Sequence, residues 1–476
     1  MYSKILQTPS NPWSLISLAD RSWSTVSEKV LSGWKPFTRL AERGVVTHGR
    51  LRILTNERIY EFPDGQIKDH DDEPIVEIRV IDDSFWLRLL TTSALGFAEA
   101  YMYGEVECED LLGVFSIFLN NAENIDNMNS KVSHLFSIPQ TITSLRFLNT
   151  LSNSRNNISA HYDISDAVFQ AFLSDDMSYS CAIFEDVDGD LKENGSNYPS
   201  SKVHSPVLLE DVPTSPESDP LYIAQLRKIR HLINKADIRP GHRVLEIGSG
   251  WGQLAIEAVK LTGCTVDTIT LSVRQQKIAQ ERIHAAGLQD RIAVHLMDYR
   301  SMPPDWEGTF DRLVSVEMIE AVGKDFLETY WKIVDWALKK KDAAGVVQLT
   351  TIPEALFPGA FCPSLTILLN ALQKGSKGKL VVDNVENIAP HYPRTLREWR
   401  KRFSARFESH IVPALKAEYP EVMNGEQGED EIDVFRRKWI YYFYYCEIGF
   451  TTRILGDHIV AFAREGYMDY KYNKDK

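Results

Sequence analysis

The stretch "VLEIGSGWGQLA", residues 244–255, reads as an apolar strand running into a glycine-rich turn and then into a helix. Gly248 and Gly250 allow the sharp reversal and let backbone N–H groups come close to a ligand at a helix start. The spacing is Gly-x-Gly-x-Gly, one residue short of the dinucleotide-binding pattern. A dinucleotide site would also want an acid near position 268 to hold a ribose hydroxyl, and Thr268 stands there. The strand closes on Thr270-Leu271-Ser272, while Asp267 lies inside it with its side chain aimed elsewhere. A smaller ligand without a pyrophosphate suits this turn better.

Outward from the turn, strand and helix patterns alternate. A helix "PLYIAQLRKIRHLINKA" leads in, and strands are expected at 243–247, 265–270, 292–297, 311–316 and 345–351. Between them Leu254, Ala258 and Leu261 recur at helical spacing, as do Ala279, Ile283 and Ala286, and Phe326, Tyr330, Ile333 and Ala337. Such alternation predicts an α/β fold: a Rossmann-like, doubly wound parallel sheet with helices on both faces. A smaller N-terminal α+β domain is expected over 36–125, after a loose Ser-rich lead-in at 1–35. There "GRLRILTNERIYEFPDG" alternates apolar and polar residues and predicts a hairpin turning at Pro63-Asp64-Gly65. Residues 126–160 read as Asn- and Ser-rich linker around a helix at "SLRFLNTL"; the main domain fills 161–476, with an acidic inserted loop at 186–219.

Composition narrows the function. The 476 residues hold 53 basic and 66 acidic side chains, a net charge of −13, which argues against a general nucleic-acid binder. Five scattered cysteines with no Cys-x-x-Cys pair make a disulfide framework or a structural zinc improbable. No continuous apolar run resembles a secretory signal or a membrane span, so a cytoplasmic protein is expected. "MSYSCAIF" (177–184) surrounds Cys181 with Asp175, Asp176 and Glu185 and no His within ten residues. That setting raises a thiol pKa, so Cys181 reads as a pocket wall rather than a nucleophile.

S-adenosylmethionine is the ligand these elements suit. Glu246 would lie near its charged end, and Asp298 in "VHLMDYRS" stands where an acceptor for the adenine amine belongs.

Several motifs together resemble the cyclopropane fatty acid synthase family of S-adenosylmethionine-dependent methyltransferases, over about 36–470. They are "HYDISDAVFQAFLSDDMSYSCAIF", "AQLRKIRHLI", "VLEIGSGWG", "TITLSVRQQKIAQERI", "SVEMIEAVGKDFLETYW", "NIAPHYPRTLREW" and "YYFYYCEIGFTTR". "AEAYMYGEVECEDL", with Tyr101, Gly104 and Glu107, matches the family's amino-terminal lipid-associated domain. The resemblance implies addition of a methyl carbon across a cis double bond of a phospholipid acyl chain, met at a membrane surface. It implies Tyr179 and Ser180, with Gly248 and Gly250, at the methionine end of the donor. Thr270, Leu271 and Gln275 match its ribose and adenosine positions, and Asp298 and Tyr299 its adenine end. The Cys181 backbone, Glu320 and Tyr392 would hold a bicarbonate base, and Tyr162 would line the acyl slot.

The chemistry asks for such a site. An alkene is a weak nucleophile, so a sulfonium methyl must be pressed against it in a dry slot, and the resulting cation must lose a proton to a base. Two departures stand out. Thr350 occupies the place of a family histidine and cannot carry a proton at neutral pH. Pro353 and Phe357 are nearly adjacent where relatives have a longer helical segment. His391 beside Tyr392 is expected to point away from the site.

The alternatives are a related lipid C-methyltransferase giving a branched or sphingolipid product, a small-amine N-methyltransferase, or an inactive lipid-binding homologue. For peripheral membrane contact, "RTLREWRKRF" (394–403) could meet lipid phosphates, although a solvated basic helix is the preferred reading. A homodimer is left open.

Overall fold

The computed structural model describes residues 46–63, 75–92, 94–121, 166–193, 216–352 and 362–468. The lead-in at 1–35, the linker helix at 144–151, Tyr162, most of the acidic loop and the shortened 353–358 segment lie outside them. The chain divides into two compact units.

In the first unit, β1 (Arg50–Leu54), β2 (Ile59–Phe62), β3 (Ile75–Val80) and β4 (Val106–Cys108) form a sheet of order β2-β1-β3-β4. The hairpin lies earlier than the sequence suggested. It joins β1 to β2 at 55–58, where the Thr55 N–H donates to the Arg58 carbonyl at 3.1 Å. The chain beyond Pro63 then returns to pair β3 parallel to β1. Asp64 and Gly65 of the expected turn lie outside the described residues. Helices α1 (Ser84–Thr92), α2 (Ala94–Met102) and α3 (Leu111–Asn120) cover the sheet. Asp110 caps α3 through the Gly113 N–H at 2.8 Å. Residues Asp433–Tyr442 belong to this unit. Tyr441 there packs on Phe97, Tyr101 and Phe115, the last edge-on at 5.1 Å.

The second unit is the α/β body. The five expected strands are present: β5 (Arg243–Ile247), β6 (Thr265–Thr270), β7 (Ile292–Leu296), β8 (Arg312–Val316) and β9 (Ala344–Thr351). All five are parallel. Two further strands escaped the sequence reading. β10 (Leu380–Asn387) and β11 (Gly456–Arg464) extend the sheet to seven, in order β10-β11-β9-β8-β5-β6-β7. β11 runs antiparallel to both of its neighbours, so the sheet is mixed rather than wholly parallel. The residues of β11 are almost all buried, which hides the alternation that betrays a half-exposed strand.

Helix α4 (Pro220–Lys235) leads into β5, α5 (Gln253–Thr262) follows it, and α6 (Leu327–Ala337) packs Tyr330, Trp331 and Val334 into the core. Each such side chain contributes roughly 1.5–3 kcal/mol by burial. Leu261, expected on the core face of α5, is instead 51% exposed at the last turn.

The basic segment 394–403 is neither solvated nor free for lipid. It forms part of α7 (Tyr392–Arg406), and its arginines are packed inward. Arg397 pairs with Asp190 at 2.6 Å, Arg400 with the buried Glu447 at 2.5 Å, and Arg402 with Asp219 at 2.5 Å. Asp190 and Asp219 stand near the two ends of the acidic insertion, so this helix clamps both ends. Charge complementarity within the chain has consumed the patch that looked available for phosphates.

Candidate active site

The sheet order reverses between β5 and β8, and ligands of open α/β sheets bind beyond the strand ends at such a switch point. A cleft lies there, lined by the ends of β5, β6 and β8, the segment after β7, the 176–180 segment and one face of α4. Gly248 turns the chain out of β5 at φ +98°, where an added Cβ would sit 3.2 Å from Met318. Gly250, at φ +47°, has nothing within 4 Å of the same position, so its bare backbone opens on the cleft side of the loop. The Gly248 and Ser249 N–H groups are tied to the Ile269 carbonyl at 3.0 Å each, which holds the loop still.

Of the expected donor-binding residues, Tyr179, Ser180, Glu246, Gly248, Gly250, Thr270, Leu271, Gln275 and Tyr299 line this cleft. Asp298 does not. Its carboxylate is held by Arg300 at 2.7–2.8 Å and caps the following turn. Thr270 donates to Gln275 Oε1 at 2.9 Å, which presets the polar pair after β6. Asp267 is engaged by Arg243 and His295, as its place inside the strand required. The Tyr179 ring is wedged among Phe169, Phe172 and Trp399.

Glu246 carries the clearest mark of a place for a cation. Its Oε2 is buried with no hydrogen-bond partner, and burial pushes its pKa up to about 8. Among the residues lining the cleft, such a carboxyl fits a ligand that brings positive charge. S-adenosylmethionine, with an ammonium and a sulfonium, meets that requirement.

Next to this cleft lies a polar cluster that the sequence reading only half saw. Glu317, directly after β8, lines the cleft, and its carboxylate collects three donors. The Cys181 N–H and Gln348 Nε2 each donate to Oε1 at 2.8 Å, and the Tyr392 hydroxyl donates to Oε2 at 2.8 Å. Gln348 also reaches Asp457 Oδ2 at 3.1 Å. Lys228 of α4, fully buried, donates to the Ser180 hydroxyl at 2.7 Å; burial raises the Glu317 carboxyl, and the Cys181 and Tyr392 donors with the Lys228 charge act against that rise. Glu320 takes a different partner: Oε1 accepts the Thr350 N–H at 2.6 Å, and Oε2 is buried without one. Burial, with Glu317 as a like charge, pushes Glu320 up to about 8.

Tyr392 thus serves Glu317 rather than Glu320. Its ring is stacked on Phe450 at 4.1 Å, which fixes the hydroxyl. Tyr392 also begins a helix after a short turn, not an extended segment. His391 still points away, accepting the Phe184 N–H through Nδ1 at 3.2 Å. Cys181 is fully buried; burial, with Asp457 and Glu317 nearby, holds its thiol well above the usual range. Its backbone, not its sulfur, meets the site.

The signal for the missed residues was present for some of them. Gln225 and Lys228 interrupt the apolar stripe formed by Leu221, Ala224, Ile229 and Leu232 on α4, and Gln348 interrupts an apolar strand. A polar side chain on a buried face needs a partner, which is a reason to look for a site. Asp457 had no such signal, because its strand went unrecognised.

Comparison with known proteins places these features. Residues 149–456 match the model of the family described as mycolic acid cyclopropane synthetase. The chain belongs to this family. Its members are S-adenosylmethionine-dependent methyltransferases, and this chain is an enzyme of that class. It is 31% identical over 401 residues to tuberculostearic acid methyltransferase UfaA1 of Mycobacterium tuberculosis, covering 81% of this chain and 82% of that one. It is 29% identical over 403 residues to the cyclopropane-fatty-acyl-phospholipid synthase of Escherichia coli, covering 82% and 88%. Among solved structures, coclaurine N-methyltransferase bound to N-methylheliamine and SAH shares the fold. Its TM-score is 0.57 at 17% identity, covering 78% of this chain and 100% of that one. The family membership accounts for the glycine loop and the switch-point cleft together.

Proposed function

We propose that this enzyme transfers a methyl carbon from S-adenosylmethionine to a cis double bond of a phospholipid acyl chain and closes a cyclopropane ring. The observation that carries this reading is a carboxylate held by three hydrogen-bond donors, Glu317, lining the donor cleft where a proton must be collected. S-adenosylmethionine supplies a methyl group on positively charged sulfur and leaves as a neutral thioether. Gly248, Gly250, Thr270 and Gln275 hold and orient it, and Glu246 balances its charge. The packed rings of Tyr179, Phe169, Phe172 and Trp399 limit water near the reacting carbon. Aromatic faces also tolerate the positive charge that builds on the acyl chain.

For the acyl chain, a cavity of 820 Å³ is lined by Ile352, Leu365, Pro393, Phe450, Ile454 and Leu455, among others. Phe450 is the ring on which Tyr392 stacks, so the cavity wall packs directly against the proton-collecting cluster. Among the described residues no helix is long and apolar enough to cross a membrane. A phospholipid acyl substrate is met at a bilayer surface, and α7 is not the docking face because Arg397, Arg400 and Arg402 are already paired.

A methylene- or methyl-branched product is the second reading. Thr350 in place of the histidine, and the similarity to a tuberculostearic acid methyltransferase, both favour it. A cyclopropane and a methylene branch each need one methyl in and one proton out, and differ in whether a hydride migrates before the proton leaves; a saturated methyl branch needs, in addition, a hydride from a separate reductant. The test is lipid analysis from a host expressing the chain with methyl-labelled methionine. Acyl chains heavier by one labelled methylene, with cyclopropane proton signals in NMR, support the first reading. Vinylidene or branched-methyl signals support the second, and an unlabelled lipid pool refutes both.

A further inference from the structure

The resemblance to the cyclopropane synthases implies a free bicarbonate base held by the Cys181 backbone, Glu320 and Tyr392. The residues present do not fit one. The Cys181 N–H and the Tyr392 hydroxyl, the donors that would grip it, both converge on the carboxylate of Glu317, one on each oxygen. Gln348 supplies a third donor to the same group. An additional anion would confront three carboxyls, the half-buried Glu317 and Glu320 and the fully buried Asp457, with Lys228 as the nearby cation.

The backbone tells the same story. Glu317 sits at φ +45°, a left-handed conformation that costs a non-glycine residue about 1–2 kcal/mol. Its N–H is pinned to the Gln348 carbonyl at 2.8 Å. A strained residue with every side-chain oxygen satisfied is held for its carboxylate, not for its backbone.

Resting on the function proposed above, we propose that Glu317 is the resident catalytic base, standing where relatives would bind bicarbonate, and that this enzyme needs no exogenous anion. The acyl π pair forms the new carbon–carbon bond to the methyl as the sulfur–methyl bond breaks. A C–H bond of that methyl then breaks; its electron pair closes the ring onto the cationic neighbour, and the proton passes to Glu317. Burial raises all three carboxyls, Asp457 further through the charge of Glu317; Glu317, with three donors on its carboxylate, is the member best placed to hold the negative charge. After turnover Glu317 loses its proton to solvent when the products leave.

Glu317→Gly is the decisive variant, because glycine accepts φ +45° without strain and frees all three donors around an anion-sized space. Wild-type turnover in carbonate-free buffer is expected to be unchanged by added bicarbonate. Glu317→Gly should lose ~10²–10⁴-fold without bicarbonate and recover when it is added. Glu317→Gln, which fills the space but cannot take a proton, should be as slow and should not recover. Independently of turnover, ¹³C-bicarbonate line broadening in NMR should reveal binding to Glu317→Gly and none to the wild type. A wild type that binds or requires bicarbonate, or a Glu317→Gly variant at full rate without it, overturns the assignment. If no lipid is methylated by any form, the proposed function fails, yet the NMR experiment still decides who occupies the donors.

Discussion

Replacing Glu320 by Gln offers a thermodynamic reading of the buried carboxyl cluster. In the folded chain the Glu320 carboxyl is pushed up to about 8 from 4.5, because burial of its Oε2 penalises the charged form and Glu317 faces it as a like charge. The folded state therefore holds a proton that the unfolded chain has released between those two values. Stability is fully present below about pH 4.5 and falls by about 1.36 kcal/mol per pH unit as pH rises toward about 8. Across the window the loss amounts to about 5 kcal/mol, part of it shared with Glu317 through their mutual field. Glutamine copies the protonated acid: its Oε1 can keep the Thr350 N–H, and it never ionises. Urea unfolding followed by tryptophan fluorescence, from pH 5 to pH 9, should give wild-type and Glu320→Gln midpoints that agree near pH 5. They should then diverge, with the variant the more stable at pH 8. The other buried acids titrate in both proteins and largely cancel in the difference. Parallel curves over the whole range would show that Glu320 is ionised in the folded protein and that its burial has been misread.

Three further outcomes are expected. Tyr392→Phe removes one donor from a buried anion and should slow turnover roughly 10–100-fold, raising the apparent pKa of the acid limb while donor affinity stays within a few-fold. Binding of S-adenosylmethionine brings positive charge to Glu246, which titrates at about 8, so binding near pH 7 should release a proton and tighten as pH rises; calorimetry in buffers of different ionisation enthalpy measures this. Glu447→Ala strips Arg397 and Arg400 of a shared buried partner and should cost about 3–5 kcal/mol in unfolding free energy, whereas a solvated helix would lose almost nothing.

The lesson of α7 concerns charge. Five basic residues in ten look like a surface from sequence, because a buried arginine is rare unless paired. The partners, Asp190, Asp219 and Glu447, come from positions far apart in the chain, and no local pattern announces them. The same holds for Glu317. It stands three residues before Glu320 in "SVEMIEAVG", and nothing local says which carboxyl will meet Tyr392.

Local order was legible wherever a residue's role depends on its immediate neighbours. The five parallel strands follow from apolar periodicity, and the glycine loop after β5 follows from the left-handed backbone that turn demands. The acidic surroundings of Cys181, with no neighbouring base, were enough to read its thiol as inert. Only the tertiary structure decided that β11 joins the sheet antiparallel and brings Asp457 beside Gln348. It alone decided that donors 136 and 75 residues away close on Glu317. Periodicity is a property of short stretches, but the protonation of a buried acid depends on every charge and dipole the fold gathers around it.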